Sequence, residues 1–138
     1  MSKATKNYAV LLFLLFFCQG GLTQSELMAQ INVTFNLDLR MQIEDGSFIP
    51  GRDRAELMGD IYPLTRSRNY LLRDLSPFDS VYTVEITFGR RFMNQDLNYN
   101  YIIKKFNGSE IRESELRQIR FVTSNQIIAP QLFDGYTN

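Results

Sequence analysis

"INVTFNLDLRM" (residues 31–41) is an eleven-residue run of unbroken alternation. Ile31, Val33, Phe35, Leu37, Leu39 and Met41 alternate with Asn32, Thr34, Asn36, Asp38 and Arg40. Successive side chains of an extended chain point to opposite faces. Period two over this length therefore predicts a strand with one buried face. On a helix the same apolar residues would scatter around the circumference.

Working outward, "EDGSFIPGRD" (44–53) has the Asp-Gly and Pro-Gly chemistry of a loop. "RAELMGD" (54–60) reads as a second, short strand with Ala55 and Leu57 on one face. Residues 63–79 have no clean period and contain Pro63 and Pro77. "VYTVEITF" (81–88) alternates again, with Tyr82, Val84, Ile86 and Phe88 inward. "LNYNYIIKKF" (97–106) follows, with Tyr99, Tyr101 and Ile103 on one side. Asn107-Gly108 is a hairpin signal, because both residues tolerate positive φ. "RQIRFVT" (117–123) and "QIIAPQLF" (126–133) complete the set, and any helix is confined to one turn near 110–117. Five to seven short strands at this spacing predict an all-β antiparallel sandwich or barrel. Its core should include Val33, Phe35, Leu37, Val84, Ile86, Tyr101 and Phe121.

The leader is a different kind of sequence. Lys3 and Lys6 precede "YAVLLFLLFF" (8–17), an apolar run of ten residues. That is too short for a bilayer span, which needs about 20. A basic start, a short apolar run and a polar continuation predict a secretory signal peptide with a short linker over 1–29, cleaved somewhere in 20–29. Cys18 opens a second route, lipidation, although Phe17 stands where that processing favours a small residue. The mature domain, 30–138, is then about the modal size for one domain. Cys18 is the sole cysteine, so the mature domain has no disulfide. A secreted domain without disulfides suggests a bacterial envelope, periplasmic or secreted. On that reading the Asn32 and Asn107 sequons are chance matches.

Composition excludes several function classes. There is no His, which removes the commonest general base and metal ligand. From Gln30 onward the chain carries 13 Lys+Arg (15 less Lys3 and Lys6) and 14 Asp+Glu (15 less Glu26), a net charge of −1. A nucleic-acid binder is usually clearly basic. Arg66, Arg68 and Arg73 cluster, as do Arg90 and Arg91, and both groups read as solvated loops. No serine-nucleophile signature, phosphate loop or histidine metal spacing occurs. Glu110, Glu113 and Glu115 supply carboxylates, but they fit a solvated hairpin or short helix rather than a buried acid pair. The sequence therefore predicts no catalytic residue, no metal site and no cofactor.

The order of the pieces resembles the starch-binding type of carbohydrate-binding module, an immunoglobulin-like β-sandwich of secreted bacterial proteins. "VTFNLDLRM" matches that family's opening strand, and "GSFIPGRD" its Gly-x-Phe-x-Pro loop. "SVYTVEITF" matches the middle strand, "YNYIIKKFNGSEIRE" the Tyr-x-Tyr-Lys-Phe strand with its turn and Glu, and "IRFV" the closing strand. The resemblance spans 31–133 and implies a single antiparallel immunoglobulin-like sandwich. In the family, aromatic rings stack on the apolar faces of sugars.

Those rings are missing here. The turn after the second strand reads "GDIYPL" (59–64), and the family's Trp falls near Leu64. The family's strand Lys is Ile102. No aromatic precedes Glu113, where the chain reads Glu110-Ile111-Arg112. The resemblance then leaves Tyr62 and Tyr70 as candidate carbohydrate-binding residues, against the plainer reading of core-edge tyrosines. Gly59, Ile61 and Pro63 are expected to be structural: Gly59 bends the strand, Ile61 packs inward, Pro63 fixes φ. Two functions stay open. One is a structural or protein-interaction sandwich with a degraded sugar site, and the other is a starch- or glycogen-like glycan binder using tyrosines. The partner is accordingly a glycan or another envelope protein.

Overall fold

A computed structural model of the protein describes residues 30–135. The expected signal peptide and Cys18 lie outside the described residues. Among the described residues nine strands form two packed sheets joined along one edge. The first sheet is built on β1 (Gln30–Asp38), which pairs antiparallel with β4 (Val81–Gly89) from Gln30 opposite Gly89 to Asp38 opposite Val81. On its other side β1 pairs in parallel with β8 (Asn125–Ile127) and β9 (Gln131–Leu132). The long pairings are thus antiparallel as expected, and the chain end adds two short parallel ones.

The second sheet is built on β5 (Asp96–Lys104). It pairs antiparallel with β2 (Arg54–Gly59) on one side. On the other, β6 (Glu110–Arg112) and β7 (Arg117–Arg120) pair with its two ends. β3 (Tyr70–Asp74) belongs to both sheets: Tyr70–Leu72 pair with β2, while Arg73 and Asp74 pair with β4.

The period-two reading holds where the sandwich closes. Ile31, Val33, Phe35, Leu37 and Leu39 are all fully buried, as are Tyr99, Tyr101, Ile103 and Phe121. Ring pairs cross the interior edge to face, Phe35 with Tyr99 at 5.1 Å and Phe48 with Tyr82 at 5.2 Å between centroids. This geometry is preferred because the positive ring edge meets the negative face. Tyr99 donates its hydroxyl to Gln131 Oε1 at 3.0 Å, which ties β9 to the core. Val84, expected inside, is only partly buried against it.

Four expectations need correction. The opening strand stops at Asp38, and Arg40–Glu44 forms a single helical turn, α1. Asp38 Oδ1 accepts the Arg40 N–H at 3.0 Å, and the carboxylate also holds the Arg40 guanidinium, so the local side chain bends the backbone out of the ladder. Met41 is consequently 59% exposed rather than inward. The aperiodic 63–79 stretch hides β3, which is short and divides its pairing between two sheets. The stretch 110–117, the one place where a turn of helix was allowed for, is β6 and its exit. The stretch 126–133 is two strands, because Ala129-Pro130 interrupts the ladder. At the Asn107-Gly108 turn only Gly108 is left-handed, at φ +89. Gly108 N donates to Lys105 O and Lys105 N to Ser109 O, a three-residue loop.

Candidate functional site

The corner after β2 is set by a steric constraint. A Cβ on Gly59 would lie 2.9 Å from Leu64 Cδ1 and 3.2 Å from Asn98 O. Its φ is not left-handed. Gly59 is therefore required because β5 and Leu64 approach its backbone, and not because the strand needs a flexible hinge. Asp60 then fastens the corner to β5. Its N–H donates to Asn98 O at 3.1 Å. Its Oδ1 accepts Asn98 N–H at 3.0 Å and its Oδ2 accepts Asn98 Nδ2 at 2.8 Å.

Beyond it the chain sorts by polarity. Ile61 and Leu64 enter the core, while Tyr62 between them is 65% exposed. Pro63 is half-buried and follows a cis peptide bond. Tyr70 lies at the start of β3 opposite Leu57, half-buried against the core, with the Arg68 guanidinium 5.3 Å from its ring centroid. Of the positions singled out by the resemblance, Leu64, near the Trp position, and Ile102 are fully buried, and the residues before Glu113, Glu110-Ile111-Arg112, are exposed, with Arg112 paired to Glu110 at 3.0 Å.

On the outer face of the second sheet, beside this corner, a cleft of about 210 Å³ opens. It lies between Met58 and Asp60 on one side, Asn98 and Asn100 on β5, and Arg66 and Leu116 on the flanking loops. Asn98 is spent: Gln118 Nε2 donates to its Oδ1 at 3.1 Å, and Asp60 takes its Nδ2. Asn100 is different. It is only 7% exposed, and its enclosed Oδ1 has no donor among the described residues. A buried carbonyl oxygen left without a partner carries its desolvation cost unrelieved. Arg66 forms no ion pair among the described residues. Neither Asn98 nor Asn100 was among the candidates read from the sequence. The signal was the alternation of "NYNY", which puts both carboxamides on the face opposite the core tyrosines.

The three glutamates separate in a way the sequence did not indicate. Glu110 and Glu115 are exposed, but the Glu113 side chain is 1% exposed. Its carboxylate accepts Tyr101 N–H at 2.9 Å, Asp134 N–H at 2.9 Å and a two-pronged bond from Arg117. Arg117 Nη2 also donates to Leu132 O at 2.7 Å. The expectation of solvated acids is thus wrong for Glu113. It joins β5, β7 and the chain end, and four donors occupy its oxygens. Among the described residues no group of three or more Asp, Glu, His or Cys converges as metal ligands. Also among them, no helix is long and apolar enough to cross a membrane.

No family profile matches the chain, and no curated protein matches it in sequence. Among solved structures it is similar to γ-CGTase from alkalophilic Bacillus clarkii, with a TM-score of 0.54 and 14% identity over 75% of this chain. It is also similar to the glycoside hydrolase family 15 glucoamylase of Hypocrea jecorina, with a TM-score of 0.48 and 13% identity over 72%. The chain spans only 15% and 17% of the lengths of these two proteins. At such identities the likeness concerns the fold.

Proposed function

We propose that this chain is a non-catalytic β-sandwich module of the bacterial envelope, exported by its N-terminal leader, that engages another protein. On this reading it keeps the frame of a starch-binding-type module and has lost the sugar platform. One observation carries it: two of the three expected sugar-contact positions, Leu64 and Ile102, are filled by fully buried aliphatic side chains. A buried aliphatic residue can neither stack on a pyranose nor donate to its hydroxyls. The stretch before Glu113, Glu110-Ile111-Arg112, offers no ring, and its Arg112 is engaged by Glu110. Saturation of the Glu113 carboxylate favours a non-catalytic role, since a general acid or base needs a free oxygen within reach of its substrate.

Glycan binding through a tyrosine is the second reading, favoured by the 65% exposure of Tyr62. An array of envelope and storage glycans probed with the full chain tests both. The protein-interaction reading expects no retained glycan, and retention of an α-glucan would support the second reading instead.

A further inference from the structure

We infer that the outer edge of β4, from Glu85 to Gly89, pairs antiparallel with the same edge of a second copy of this chain, about a two-fold axis at Thr87. This goes beyond the proposed function, because the partner here is the chain itself, whatever else the module engages.

The ladder bonds show that the edge is open. Asn32 N–H donates to Ser124 O, and Thr34 O accepts Ile128 N–H, so the even residues of β1 face β8. Leu39 N–H donates to Ser80 O, so the odd ones face β4. Val33 lies opposite Ile86 and Phe35 opposite Val84, so β4 bonds β1 through its own even residues. Thr83, Glu85, Thr87 and Gly89 therefore turn their N–H and C=O groups away from β1. β3 takes Thr83 through Arg73, and its other residues pair with β2 instead. The outward backbone groups of Glu85, Thr87 and Gly89 have no partner among the described residues, and all three residues are exposed.

An open strand edge is a template for another strand. Self-complementarity selects a second copy. The opening is bounded by β3 at Thr83 and by the 3₁₀ turn Arg90–Phe92, so its midpoint is Thr87. A two-fold axis there sets Thr87 opposite the partner's Thr87 and Glu85 opposite the partner's Gly89, and every outward N–H and C=O finds its complement. Each strand ends at Gly89, just short of the place that the other copy's β3 occupies. Glu85 meets no like charge and comes beside the partner's Arg90. Neither Glu85 nor Arg90 forms an ion pair among the described residues. Centring on Glu85 would oppose two carboxylates and run into β3, and centring on Gly89 would run into the 3₁₀ turn. The ladder is short and brings no large apolar face, so the dimer is weak and reversible.

Sedimentation equilibrium of the full chain from about 10 μM to about 1 mM tests this. A monomer–dimer equilibrium is expected within that range, and amide hydrogen exchange at Glu85, Thr87 and Gly89 should slow as concentration rises. Thr87→Lys and Thr87→Glu, both exposed changes, should each weaken the dimer about fivefold, because like charges then face each other across the axis. An equimolar mixture of the two should restore it, because Lys then faces Glu. Thr87→Pro should abolish it, since it removes an N–H that β1 does not use. A chain that stays monomeric at about 1 mM would overturn the assignment, as would assembly beyond a dimer or dimerisation without slowed exchange at those amides. Unchanged association in both charge variants, or a mixture no tighter than either alone, would overturn it as well. None of these results depends on glycan retention, so the dimer fails or stands separately from the proposed function.

Discussion

At the scale of single residues, the corner at 59–64 separates structural from exposed positions within a few residues. Gly59→Ala forces a Cβ against Leu64 and against the fixed carbonyl of Asn98. Overpacking of this kind costs about 1–3 kcal/mol, and the urea midpoint should fall accordingly. Loss of backbone freedom alone would act in the opposite sense, stabilising the variant by about 0.4–1 kcal/mol at an ordinary φ. Ile61 and Tyr62 offer a sharper contrast. Ile61→Ala empties a core position and is expected to cost about 2–5 kcal/mol. Tyr62→Ala, at an exposed ring, should stay within about 0.5 kcal/mol of wild type. Equal losses in the two variants, read from denaturant unfolding, would show that the Tyr62 ring packs rather than protrudes.

At the scale of elements, two buried ion pairs tie loops to the sheets. Glu113 and Arg117 hold β5, β7 and the chain end. Glu113→Ala would strand a guanidinium that is 13% exposed and two backbone N–H groups. Breaking a buried pair from one side costs about 3–5 kcal/mol, so a large drop in melting temperature is expected. The second pair is Asp53 with Lys105, at 2.6 Å, where the Asp53 side chain is fully buried. Burial pushes the Asp53 carboxyl up. Bonds from Lys105 Nζ, Ile49 N–H and Phe106 N–H outweigh it and hold the carboxyl below its ordinary value.

A depressed folded-state pKa stabilises the protein above the unfolded value, near 3.9, and that contribution is lost as pH falls through the folded value. The wild type should therefore lose stability below about pH 4. Asp53→Asn should be less stable at neutral pH and show a flatter acid limb in unfolding curves recorded from pH 7 to 2. An unchanged acid limb would remove Asp53 from the account. Neither pair was legible in the sequence. Alternation reports which face of a strand is apolar. It says nothing of Glu113 or Asp53, which lie in loops and are buried by contacts distant in sequence.

At the scale of the whole molecule, the sandwich was legible because its longest strands bury one face each. Val33, Phe35 and Leu37 on β1 follow a local rule that tertiary structure did not override, and so do Tyr99 and Tyr101 on β5. β3 escaped because a five-residue strand shared between two sheets has no single buried face to impose a period. The candidate site was half legible. The departures from the resembling family near Leu64, at Ile102 and before Glu113 could be read from the sequence. The cleft could not, because it depends on Arg66 and Leu116 reaching the outer face from loops whose paths the sequence does not encode locally.

On the proposed function the sandwich persists without a sugar platform. Calorimetric titration of the full chain with maltoheptaose, beside Tyr62→Ala, tests it most directly. No measurable heat of binding is expected for either protein at millimolar sugar. Saturable binding by the wild type that disappears in Tyr62→Ala would contradict it and restore the corner as a glycan site.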